Sequence, residues 1–287
     1  MTMRTILFSQ HGWADTNRVM HKLGQTLVGD DPIMELSAPN LGWWRTWLGF
    51  EPLLAQVEAD AQNYPDAQWR IVGHSLGGLI WLEILDRHPE WWERVHSLVL
   101  LAVAVGGATL GKMLDPLGAL PLIARDLSRN RRQIATRIAQ HIPTLAIAGD
   151  WDNGSDGTVE HSATQLLYAH WHCIPNVHHA QLRYHPQTIE LIKTFWQTPT
   201  IAPPPDTWQT KALQYLYSLE LFPAHYRDLR FARPIKALPE GSTLWYWQNP
   251  IGLPHLFLTS SDRIIFSGFS GWGKINLETI TSNLVQI

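Results

Sequence analysis

The chain has 287 residues, 45% of them hydrophobic and 16% charged, enough to bury one large core or a core plus an appendage. A formal net charge of -3 provides no basic field to draw nucleic acid by counterion release, so a nucleic-acid partner is excluded. No stretch approaches the roughly 18 consecutive apolar residues of a membrane span.

Short apolar runs alternate with longer helical patterns through the first half. Thr5 to Phe8 reads as a buried strand, and Asp15 to Gly29 as a helix with apolar spacing through Val19, Met20, Leu23 and Leu27. Next come a strand at Ile33 to Leu36, a helix at Phe50 to Ala61, a strand at Trp69 to Val72 and a helix at Leu76 to Arg87. A strand at Val95 to Val103, a helix at Ala124 to His141 and a strand at Thr144 to Ala148 complete the series. Such alternation predicts an α/β fold with a mainly parallel sheet covered on both faces. The prolines at 203 to 205 stop helix and central strand alike, so residues 199–206 read as a linker. Beyond it, a helix at Trp208 to Leu221 and strands at Leu244 to Trp247, Leu256 to Thr259 and Ile264 to Ser267 predict a small α+β appendage over 207–287, after a main domain over 1–198. The last two strands are joined by Ser260-Ser261-Asp262-Arg263 as a hairpin. Arg131 and Arg132, adjacent on a helix, point in different directions and read as a solvated face.

Residues 69 to 78 read WRIVGHSLGG, in which Gly73-His74-Ser75-Leu76-Gly77 matches G-x-S-x-G. A serine presented on a strained strand-to-helix turn needs glycines two positions away on each side, so that the two backbones can approach. Here a β-branched strand precedes the motif and an apolar-periodic helix follows, which makes Ser75 the candidate nucleophile. The N–H of Leu76, at the start of that helix, would point at a developing oxyanion. A neutral hydroxyl needs a base, and the base an orienting acid. Acids follow the strand Thr144 to Ala148 at Asp150, Asp152 and Asp156, and histidines follow at His178, His179 and His185.

With GHSLGG, an early strand followed by HGW, and the late segments DGTVEHSA and HHAQLRYHP, the chain resembles the lipases and esterases of the α/β-hydrolase superfamily over residues 4 to about 198. That resemblance implies a second oxyanion donor at the Trp13 N–H, with His11 only stiffening the loop. It favours Asp156 as the acid, through the match of Asp156-Gly157-Thr158-Val159 with Ser162-Ala163. Asp152 remains the alternative, at a G-x-x-D spacing from Gly149, and Asp150 reads as structural. His179, followed by Leu182 and a helix at Gln187 to Trp196, fits the base position best. His185, held extended before Pro186, reads as a cap or surface residue.

The implied activity is hydrolysis of lipophilic acyl esters through an acyl-enzyme; acyl transfer with the same triad, and a catalytically idle binding or scaffolding module, are the alternatives. In such relatives the Gly- and Leu-rich stretch from Ala104 to Ala124 would be a lid. With Trp43, Trp44 and Trp47 it would form an apolar mouth capable of transient contact with a lipid surface. H-x-H spacing at His170 and His172, with His178, permits a zinc reading, but neither a cysteine pair nor H-E-x-x-H accompanies it; no metal and no cofactor are expected. The apolar part of the opening MTMRTILFSQHGW is too short for a signal segment, and the single cysteine, Cys173, fits a reducing compartment, so the cytoplasm is the expected location.

Overall fold

The computed structural model describes residues 5–13, 15–29, 33–37, 50–107, 127, 129–219, 221–261, 263–270 and 275–287. Six strands, β1 (Thr5–Gln10), β2 (Ile33–Ser37), β3 (Gln68–His74), β4 (Val95–Leu101), β5 (Thr144–Asp150) and β6 (His170–Pro175), form one sheet in the order β2-β1-β3-β4-β5-β6. Every pairing in it is parallel. Successive side chains on a strand point to opposite faces, so a sheet buried on both sides needs unbroken apolar runs. Ile6, Phe8, Ile71, Leu98 and Leu100 accordingly enter one core, with α2 (Phe50–Asn63), α3 (Leu76–Arg87) and the helix Arg132–Ala139. Leu7, Val72, Val99 and Leu101 enter the other, with α1 (Asn17–Val28) and the helix Pro186–Gln197. The chain steps from β1 outward to β2 and returns to β3 on the far side of β1. The carboxyl ends of β1 and β3 therefore lie at the switch point, where open α/β sheets hold their ligands.

The second sheet is antiparallel, in the order β7-β11-β10-β9-β8, from β7 (Phe222–Pro223), β8 (Arg233–Leu238), β9 (Ser242–Gln248), β10 (Pro254–Ser260) and β11 (Arg263–Phe269). Leu244, Leu256, Leu258, Ile265 and Phe266 pack there against Ala212 and Leu216 of the helix Trp208–Ser218 and Ile280 and Leu284 of the helix Leu277–Gln286. The two sheets meet through Ser162 Oγ and Ser267 Oγ at 3.1 Å and through Arg227, which donates to Asp152 at 3.0 Å.

Several expectations need correction. The helix expected over Ala124 to His141 is described only as Arg132–Ala139. Arg131 and Arg132 are not solvated: they are 2% and 7% exposed. Arg131 Nε donates to Glu83 Oε1 at 2.7 Å, while Arg132 donates to the carbonyls of Ser162 and Gln165 and stacks over Tyr217. Adjacent arginines do point in different directions, but here each direction holds acceptors that satisfy a buried guanidinium. The strands β6 and β8 and the helix Leu277–Gln286 were not anticipated. Trp43, Trp44 and Trp47 and all but residues 104–107 of the expected lid lie outside the described residues.

Candidate active site

Between the end of β3 at His74 and the start of α3 at Leu76, Ser75 alone makes the turn, with φ 52° and ψ -123°. A non-glycine residue held there stores on the order of 1–3 kcal/mol, so its surroundings must over-determine it. The Ser75 N–H donates to Leu101 O at 2.8 Å, and its carbonyl accepts from the Gly78 N–H at 3.1 Å. A Cβ at Gly77 would lie 2.5 Å from the carbonyl oxygens of Gln10 and His11, and one at Gly73 would lie 2.5 Å from Gly78 Cα. Close approach of α3 to β3 and to the loop after β1 is thus what both motif glycines permit. Gly77→Ala is expected to lower stability by at least the ~1–3 kcal/mol typical of overpacking, since backbone receives both collisions. Urea unfolding of the purified variant measures this, and an unchanged midpoint would show that the loop after β1 can retreat.

That loop crosses the serine closely: a Cβ at Gly12 would lie 3.0 Å from Ser75 Cβ. His11 is fully buried with Nδ1 2.8 Å from Gly12 O, whereas the Trp13 side chain is 37% exposed. Leu76 opens α3, so its N–H is among those with no acceptor within the helix.

The acid loop follows β5. Asp156 is 1% exposed; its Oδ1 accepts from the N–H groups of Thr158 at 2.9 Å and Val159 at 2.7 Å, and its Oδ2 lies 2.7 Å from His179 Nδ1. A backbone bond from the His179 N–H to Asp156 O, at 3.0 Å, joins the same two residues. Asp152 faces elsewhere, accepting from the N–H and hydroxyl of Ser155, both at 2.9 Å, and from Arg227. Burial pulls its pKa up, but hydrogen bonds from Ser155 and Tyr226 and the Arg227 charge outweigh this and hold it below the usual carboxylate value. Asp150 Oδ1 accepts from the Asn153 N–H at 2.9 Å. His178 stacks on Trp151, with ring centroids 3.5 Å apart, and His185 occupies the N-cap position before Pro186 without a side-chain capping bond. His170 contacts Thr200, 3.1 Å from its carbonyl and from its hydroxyl. Among the described residues, His170, His172 and His178 do not gather into a metal-ligating group.

His74 was missed in the sequence, although its place before the serine puts it at the strand end facing the late loop. Its Nε2 lies 3.1 Å from His179 O, and the two rings are 4.7 Å apart, so His74 sets the His179 backbone beside the serine turn. No hydrogen bond joins Ser75 to His179 in this structure; such contacts often tighten only when substrate binds. Burial first, and the neighbouring His179 next, push the His74 pKa well below 6.5. The unfolded chain therefore takes up this proton near pH 6.5 while the folded chain resists it. Stability is full above that pH and falls as the pH drops below it, by at most about 1.4 kcal/mol per unit from one group, until the folded form also protonates. Urea midpoints between pH 7.5 and 5 are expected to fall, and to fall less steeply in His74→Asn, which keeps a donor but cannot titrate. Equal slopes would remove His74 from this account.

No protein-family model matches the sequence, and no curated protein matches it. Solved structures do. The lipase BlEst2 of Bacillus licheniformis in its propeptide form is 13% identical with a TM-score of 0.55, over 88% of this chain and 58% of that one. Est1E from Butyrivibrio proteoclasticus, solved with ferulic acid bound, is 14% identical with a TM-score of 0.51, over 68% of this chain and 89% of that one. The esterase EaEST from Exiguobacterium antarcticum is 13% identical with a TM-score of 0.51, over 68% and 92%. At these identities the likeness is one of architecture, and the chain has the α/β-hydrolase fold. Among the described residues no helix is long and apolar enough to cross a membrane.

Proposed function

We propose that the protein is a serine hydrolase of carboxylic esters with lipophilic acyl groups. The observation that carries this reading is the contact between the buried Asp156 carboxylate and His179 Nδ1, set beside the strained turn at Ser75. Ser75 Oγ attacks the ester carbonyl carbon as its proton passes to His179 Nε2, and Asp156 fixes the tautomer that leaves Nε2 free to receive it. The oxyanion accepts from the N–H groups of Leu76 and Trp13. Collapse breaks the ester C–O bond, the leaving alcohol takes the proton from His179, and the acyl group stays on Ser75. Water then attacks with His179 again as base, releasing the acid and restoring the serine. This chemistry asks for no metal or cofactor.

The names of the similar structures, lipase and esterase, support the same class. In this reading residues 1–198 are the catalytic unit, 199–206 the linker and 207–287 an appendage that braces the acid loop through Arg227, in a cytoplasmic protein. The test is covalent labelling by a fluorophosphonate together with hydrolysis of p-nitrophenyl esters of increasing acyl length. Labelling and turnover by wild type, and neither by Ser75→Ala, is the expected result. A folded wild type that does neither would overturn the reading.

A further inference from the structure

A second cluster of chemically capable side chains lies where the two sheets meet. Cys173 on β6 sits beside Ala148 of β5, and Asp150 ends β5. His161 begins the short helix after the acid loop. His161 Nε2 lies 3.6 Å from Cys173 Sγ and 3.5 Å from Asp150 Oδ1, and the three ligand atoms all fall within 4.8 Å of one another. With metal–nitrogen and metal–oxygen bonds of about 2.1 Å and a metal–sulfur bond of about 2.3 Å, a tetrahedral zinc shell has N···S edges of about 3.6 Å and N···O edges of about 3.4 Å. The two separations measured from His161 Nε2 therefore sit close to the edges of such a shell.

We propose that Asp150, His161 and Cys173 form a binding site for a zinc-class divalent cation, with a fourth position open to water. The donor set selects the metal: imidazole and thiolate suit zinc, whereas magnesium and calcium prefer oxygen donors. Thiolate and carboxylate together would balance the double positive charge. The three residues line a cavity of about 1240 Å3 between the sheets, with Trp171, Tyr226 and Arg263 also on its wall, so a hydrated ion has a path in. Coordination through Nε2 exchanges the ring's 3.0 Å contact with the Gly149 carbonyl for a metal bond.

A thiol nucleophile served by His161 is the competing use of these groups, and the geometry opposes it. Asp150 and Cys173 both approach the same ring nitrogen, whereas a base relay needs the acid and the nucleophile on opposite nitrogens. Because Asp150 and His161 bracket the segment that carries Asp156, an ion held by both would clamp the two ends of the acid loop. The site itself stands independently of ester hydrolysis.

The test uses the full chain, stripped with a chelator and kept reduced, and titrated with Co2+ as a spectroscopic stand-in. One equivalent should produce thiolate-to-metal charge-transfer absorption and the visible bands of a tetrahedral ion, and Zn2+ should bleach both. Zn2+ should also raise the melting temperature of wild type. Cys173→Ser should lose the charge-transfer band, and His161→Gln and Asp150→Asn should each weaken Zn2+ binding at least 10-fold, with His170→Ala and His172→Ala behaving as wild type. Wild type without a charge-transfer band would overturn the proposal whatever the variants do. So would Zn2+ binding that survives Cys173→Ser undiminished, or that disappears with His170→Ala or His172→Ala.

Discussion

Asp156→Asn is expected to lower kcat/KM for a short acyl ester by about 10⁴-fold while the protein stays folded, because the amide no longer holds the imidazole tautomer that accepts the serine proton. His179→Ala should cost at least as much, and combining the two should cost little more, since the groups act as a unit. Asp152→Asn is the discriminating control. It loses the charge and the acceptor oxygen that meet Arg227 but nothing that touches His179, so it should change the rate little by comparison. Fluorophosphonate labelling rates read the same hierarchy without a choice of substrate. A large loss in Asp152→Asn with near-normal Asp156→Asn would transfer the acid role to Asp152.

The largest effect on stability is expected at the buried ion pair beneath α3. Glu83 lies on α3 and accepts from Arg131 at 2.7 Å, with the two side chains only 10% and 2% exposed. Glu83→Ala would leave the buried Arg131 guanidinium without its carboxylate, a change that typically costs about 3–5 kcal/mol. Replacing both partners by apolar residues of similar size, Glu83→Leu with Arg131→Met, removes the stranded charge and should recover most of that loss. Urea unfolding of the single and double variants measures both terms. A single variant as stable as wild type would mean that Arg131 finds another acceptor.

How far the sequence could be read depended on the range of the forces involved. In the main sheet the central strands are largely apolar, with Arg70 in β3 and His96 and Ser97 in β4 the interruptions, and the helices between them carry a clear apolar period, so both were legible. The edge strands β6, HWHCIP, and β8, RPIKAL, were not: each has a solvated side and a proline, which weakens the pattern. The helix Leu277–Gln286 did leave a signal, since Asn276 caps it through the Thr279 N–H at 3.1 Å and Leu277, Ile280 and Leu284 share a face. Arg131 and Arg132 were misread because nothing local says that Glu83, 48 positions away from Arg131, supplies an acceptor.

What the sequence alone determined is therefore the α/β alternation and the serine turn, because side-chain periodicity and glycine sterics act within a few residues. Only the tertiary structure decided which carboxylate meets which histidine. Asp156 reaches His179 across 23 positions, and His74 reaches it across 105. The same holds for the gathering of Asp150, His161 and Cys173. Such contacts exist because sheet order brings the ends of β3, β5 and β6 and their loops together, and that order is set by the packing of the whole chain.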